Sequence, residues 1–95
     1  MTYELESRYD TRQSFYGKAQ VKEYYVNKNI TIKELYSYGT LVAEIKEYKK
    51  ETKYIYYGKY SQTTTRHQKE FFKQNGLNDK QIKELFKNGV LEKEV

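Results

Sequence analysis

From Ser14 to Ser61 apolar and polar residues alternate with the two-residue period of a β-strand. In "SFYGKAQVKEYYV", Phe15, Ala19 and Val21 share one parity, while Tyr16, Lys18, Gln20, Lys22 and Tyr24 share the other. Successive strand side chains point to opposite faces, so one face is expected buried and the other wet. Turn chemistry in "VNKN" (Val26 to Asn29) separates this strand from "ITIKELYSYGTLVAEIKEY", where Leu35, Leu41, Ala43 and Ile45 fall on one parity. That run is long for one strand, so Gly39 is expected to mark a bulge or bend within it. "KKET" reads as a second turn and "KYIYYGKYS" as the next strand. The pattern predicts an antiparallel meander of three strands, or four where the middle one is divided.

After Ser61 the period changes, and the chain says nearly the same thing twice: "RHQKEFFKQNG" from Arg66 to Gly76 and "KQIKELFKNG" from Lys80 to Gly89. Each phrase has the spacing of a short amphipathic helix closed by glycine. Thr65 with Gln68 fits a capping box, and Asn75-Gly76 a left-handed stop. Asn78 with Gln81 makes a second box, Leu77 is placed to staple onto Ile82, and Gly89 ends the second helix. Helices are expected near 64–75 and 79–87, with Phe71, Phe72, Leu85 and Phe86 turned to the core. Strands followed by helices predict an α+β fold, the antiparallel meander carrying two C-terminal helices on one face. The expected organisation is a single domain: an N-terminal segment 1–13, a Tyr-rich sheet 14–61, a helical hairpin 62–89 and a tail 90–95.

Composition alters this picture in two ways. Leu, Ile, Val and Phe make up only about a fifth of the chain, close to where a charged sequence fails to fold. The twelve tyrosines supply the missing apolar area, since each can bury a ring and keep its hydroxyl wet. All of them lie between Tyr3 and Tyr60. The chain has no cysteine, which excludes disulfides, zinc-finger spacings and thiol catalysis. Neither a signal peptide nor an apolar span is readable, so a cytoplasmic protein without membrane contact is expected. The formal charge of +5 favours polyanions weakly.

Three sets of residues could carry function. The first is the outward sheet face, with Tyr16, Tyr24, Tyr36, Tyr38, Tyr54 and Tyr56 opposite in parity to the apolar set and interleaved with Lys18, Lys22 and Lys46. Of these, Tyr16, Lys18, Tyr36, Tyr38, Tyr54 and Tyr56 are the expected partner-binding residues, suited to a protein hot spot or to base stacking. Tyrosine is followed by glycine at 16–17, 38–39 and 57–58, which reads as a ring covering bare strand backbone across the sheet. The second set is a pair of basic trios, Arg66, Lys69, Lys73 and Lys80, Lys83, Lys87, whose spacing gives each a single helical face that could hold phosphates. The third is Arg66 with His67, which a small ribonuclease could use as anion binder and acid–base. His67 shares the side of the helix that carries Phe71, so a buried histidine bonded to the sheet is the stronger expectation. No metal site and no cofactor are expected.

"YDTRQSFYGKAQV", "LYSYGTLVAEI" and "YSQTTTRHQKEFFKQNG" resemble a family of small uncharacterised proteins found in phages, plasmids and related elements of Gram-positive bacteria. The likeness covers about Tyr9 to Gly76, with the second helix and tail outside it, and implies a setting rather than an activity. Small non-enzymatic proteins of such elements include inhibitors of host defence, anti-CRISPR proteins among them. The first expectation is therefore a binding protein that occupies a surface of a bacterial defence protein, such as a CRISPR effector, as monomer or homodimer. A DNA- or RNA-binding regulator is the runner-up and a ribonuclease the third reading.

Overall fold

The structure, a computed structural model, describes residues 1–94. Six strands form one antiparallel sheet in sequence order: β1 (Thr2–Glu4), β2 (Ala19–Asn27), β3 (Ile30–Ser37), β4 (Thr40–Glu47), β5 (Glu51–Tyr56) and β6 (Val90–Glu94). Helices α1 (Gln62–Gln74) and α2 (Asp79–Asn88) lie between β5 and β6 in the chain. The α+β class and the helical pair stand as expected; the strand count does not. The N-terminal segment contributes β1, which pairs with β2 through Tyr3 and Val21, and the expected tail contributes β6, which pairs with β5 through Leu91 and Tyr54. Both edge strands are short, so neither shows a long alternation in sequence. The last residue of the expected 90–95 tail lies outside the described residues.

The middle run is divided by a tight hairpin rather than a bulge. Ser37 pairs with Thr40 across Tyr38 and Gly39, whose φ angles are 52° and 81°. Two positive φ values in succession are the signature of a type I′ turn, whose twist matches that of the strands it joins. A second such turn precedes β2: Lys18 N–H donates to the Phe15 carbonyl at 3.0 Å across Tyr16 (φ 53°) and Gly17 (φ 73°). β2 therefore starts at Ala19 and not at Ser14. These Tyr-Gly pairs are turns, so the expected cross-strand cover of bare glycine does not occur there.

A bulge does exist, one turn further on. Leu35 pairs with Ala43 but Tyr36 pairs with Leu41, which leaves Val42 as the extra residue. Val42 is buried with Ala43 and Ile45, whereas Leu41 faces the open side opposite Tyr36. The expectation of Leu41 as a core residue is corrected for this reason.

One face of the sheet (Ala19, Val21, Leu35, Ala43, Ile45, Tyr54) packs on the helices through Phe71, Phe72, Ile82 and Leu85. Helix α1 starts two residues earlier than expected, capped by Ser61, whose hydroxyl accepts from Thr64 N–H at 3.1 Å. Thr65 and Gln68 form no capping box; Gln68 is buried and its amide donates to the Val42 and Gly58 carbonyls, tying the helix to β4. At the other end Leu77 N–H bonds to the Phe72 carbonyl and Gly76 N–H to that of Lys73, the paired bonds of a Schellman stop. Asn78 and Gln81 form the full reciprocal box expected for α2, and left-handed Gly89 closes it. Among the described residues no helix is long and apolar enough to cross a membrane.

Candidate functional site

The six expected partner-binding residues fall in three places. Tyr54 and Tyr56 are on the covered face. They pair with Ile45 and Ala43, and Tyr54 is 4% exposed, edge-on to Phe72 with its hydroxyl donating to the Asn75 carbonyl. Burial pushes both phenols above their ordinary value. The β4–β5 connection pairs odd positions with even ones (Ala43 with Tyr56, Ile45 with Tyr54) and no bulge restores the count, which is why parity counted along the sequence assigned these rings to the wrong side.

Tyr36 does face the open side, with Tyr24 and the opposed carboxylates Glu34 and Glu44. The hydroxyl of Tyr36 donates to one oxygen of Glu34 at 3.1 Å and that of Tyr24 to the other at 3.4 Å, while Tyr57 donates to Glu44. Like charges directly across a sheet repel, and these phenol donors offset the repulsion. Burial and the carboxylates together raise the Tyr24 and Tyr36 phenols, and Tyr57 is pushed up to about 12. The rings are thereby fixed on the sheet surface. Lys22 lies 5.8 Å over Tyr24.

Tyr16, Lys18 and Tyr38 come together at one end of the sheet. The two type I′ turns are adjacent, joined by a bond from Tyr38 N–H to the Lys18 carbonyl at 2.8 Å. β5 ends at this same end of the sheet, where Tyr57 N–H donates to the Val42 carbonyl at 3.2 Å, and Tyr60 follows three residues on in the β5–α1 connection; parity alone did not single these out. The rim formed by Tyr16, Tyr38, Tyr57 and Tyr60 is exposed at 75, 57, 43 and 53% respectively. A left-handed conformation costs an L-residue roughly 1–2 kcal/mol, and Gly or Asn ordinarily fills such positions. Two bulky exposed rings at positive φ are therefore local strain that the fold does not require.

The basic trios are only partly brought together. Arg66 is held by Asp10 at 3.1 Å and Lys73 by Asp79 at 3.1 Å. Lys69 and Lys83 line one groove between the helices with Lys73, while Lys80 and Lys87 are exposed away from it. His67 is fully buried. Its Nδ1 lies 2.8 Å from the Ser37 hydroxyl, itself 2.8 Å from that of Thr64, and its ring is edge-on to Phe15 at 4.7 Å. Burial lowers its pKa, with the Asp10 charge working the other way. Arg66 turns out to Asp10 while His67 turns in to Ser37, so the two do not share a site. Among the described residues no group of three or more Asp, Glu or His side chains could hold a metal.

Comparison with known proteins found one match, to a family described as "Family of unknown function (DUF8033)", across residues 3–88. That span includes α2, so the second copy of the repeated phrase, all but its closing Gly89, lies within the family match rather than outside it. No curated protein and no solved structure matches.

Proposed function

We propose, from the premise that the chain belongs to this family of unknown function, that it is a non-enzymatic binding protein whose tyrosine rim docks on a protein partner. The observation that supports this reading is the exposure of Tyr16 and Tyr38 at positive φ, flanked by Tyr57 and Tyr60. Tyrosine suits such a surface because it offers a large, stiff, amphipathic contact with little entropy to lose on binding. A chain folding only to be stable would place glycine or asparagine there. The resemblance to proteins of phages and plasmids supports a partner among bacterial defence proteins, a CRISPR effector being one class, with the protein acting by covering a working surface. It acts in the cytoplasm of the bacterial host.

The test is affinity capture from a bacterial lysate, with and without nuclease, followed by binding of the identified partner in purified form. One protein should be retained stoichiometrically under both conditions, and its affinity should fall at least about 30-fold in Tyr16→Ala/Tyr38→Ala, as hot-spot residues do. Full affinity in that double variant, or capture of nothing but nucleic acid that nuclease removes, defeats the proposal.

A further inference from the structure

A second surface, independent of the rim, lies on the helical side. A groove bordered by α1, α2 and the β5–α1 connection contains two cavities of about 530 and 480 Å³. They share Lys69, Lys73 and Phe86 and therefore adjoin. Five cations line the groove against three carboxylates, and most of that charge is already engaged. Arg66 and Lys73 are paired to Asp10 and Asp79. Glu70 accepts from the Tyr9 and Asp10 amides with one oxygen and from Gln74 with the other. Lys59, Lys69 and Lys83 remain, all exposed and none in an ion pair among the described residues.

Aromatic rings line the same groove as these three ammonium groups. Phe86, stacked on Tyr56 at 4.1 Å and 13°, borders both cavities, and Tyr9 lines the first with 60% of its surface exposed. Free cations that track a backbone, beside rings that accept bases, are the means by which proteins hold unpaired nucleic-acid strands. A duplex hides its base faces within its own stack and could use only the lysines. A single free nucleotide would leave one of two adjoining cavities empty. The geometry points to the α1–α2 groove as a binding site for single-stranded nucleic acid, with phosphates on Lys59, Lys69 and Lys83 and bases stacked on Tyr9 and the open part of Phe86.

The experiment is fluorescence anisotropy of the whole protein with a fluorescein-labelled ten-nucleotide oligo(dT), against a duplex of equal length, free thymidine monophosphate and inorganic polyphosphate as competitors. With three lysines on phosphates, log K should fall with log[salt] at a slope of about −2, an affinity loss of about 20-fold between 50 and 200 mM salt. Lys69→Ala and Lys83→Ala should each flatten that slope by about 0.7. Tyr9→Ala removes a mostly exposed ring, leaves the Tyr9 amide bond to Glu70 in place, and should weaken the strand roughly 5- to 150-fold through lost stacking. The rim variant Tyr16→Ala/Tyr38→Ala should bind the strand normally, so failure of one surface is distinguishable from failure of the other. No binding at 50 mM salt overturns the proposal. So does equal binding of duplex, equal competition by the mononucleotide, or displacement by polyphosphate together with an unaffected Tyr9→Ala variant.

Discussion

Replacing Tyr16 with asparagine should make the protein more stable, a direction opposite to that of most substitutions. Tyr16 sits at φ 53° with 75% of its surface exposed. The left-handed conformation costs a bulky residue roughly 1–2 kcal/mol and is well tolerated by asparagine, whose short polar side chain bonds locally. Against this gain stands the quarter of the ring that is covered, about 0.5–1 kcal/mol of lost burial by area. The net expectation is a stabilisation of about 0.5–1 kcal/mol, or about 2–8 °C in Tm for a domain of this size. Tyr38 provides the internal control. Its φ is 52°, yet its ring is more covered and lies 5.8 Å from the His67 ring, so Tyr38→Asn should gain less or nothing.

Urea denaturation followed by far-UV circular dichroism, with unchanged m-values, reports the two differences. Partner affinity measured on the same samples should fall as stability rises. A Tyr16→Asn variant that is destabilised by 1 kcal/mol or so would refute the strain argument, because the ring would then be contributing packing that its exposure denies. A variant that is stabilised and binds as well as wild type would leave the strain real and remove it as support for the rim.

Three further outcomes follow from the same geometry. His67 is buried neutral with a lowered pKa, so stability should be level above pH about 6.5 and should fall by up to about 1.4 kcal/mol per unit as pH drops from there towards 5. The unfolded chain binds a proton there that the fold resists; Asp10 softens the effect and Arg12 sharpens it. His67→Gln should flatten this slope in urea titrations from pH 8 to 5. Tyr54→Ala should cost roughly 3–5 kcal/mol and Tyr24→Ala, on the open face, about 1 kcal/mol or less, measured by the same denaturation. Leu41→Lys should stay within about 1 kcal/mol of wild type because its ammonium can reach water past the open face, whereas Val42→Lys buries a charge and should prevent folding, seen as loss of the cooperative transition.

What was legible in the sequence is what rests on local chemistry. The Asn78–Gln81 box, the Gly76 and Gly89 stops and the apolar faces of both helices each depend on residues within a few positions of one another, and each lies where spacing placed it. The division into sheet and helical pair followed from periodicity. The errors have a common source in the hairpin turns, which pair odd positions with even ones and so reverse side-chain parity unless a bulge, as at Val42, restores it. The Tyr38–Gly39 turn puts Leu41 outward, the bulge returns Ala43 and Ile45 to the core, and the β4–β5 turn, with no bulge after it, carries Tyr54 and Tyr56 under the helices. Tyr-Gly was misread because asparagine, not tyrosine, normally announces a type I′ turn. The edge strands were missed since three and five residues carry too little alternation to register. Tyr9, Lys59 and Lys83 meet at one groove only through tertiary packing, and no sequence spacing records it.

The repeated phrase now divides into two parts with different causes. Its glycines and apolar residues are punctuation: they stop each helix and turn Phe71, Phe72, Ile82 and Leu85 to the sheet. Its lysines, though equivalent in spacing, are not equivalent in space. The hairpin sets the facing sides of α1 and α2 against each other, so Lys69, Lys73 and Lys83 converge on Phe86, while Lys80 and Lys87 turn to open water. Of the converging three, the Asp79 carboxylate at the start of α2 neutralises only Lys73. An exposed ion pair of this kind contributes about 0–1 kcal/mol to stability, so its main effect is on where the remaining charge sits. Breaking it with Asp79→Asn leaves the Asn78–Gln81 box intact and frees a fourth ammonium group beside Phe86. If the groove holds phosphates, that variant should bind oligo(dT) more tightly than wild type and steepen the salt slope by about 0.7. If the paired repeats serve folding alone, Asp79→Asn should leave oligo(dT) binding unchanged.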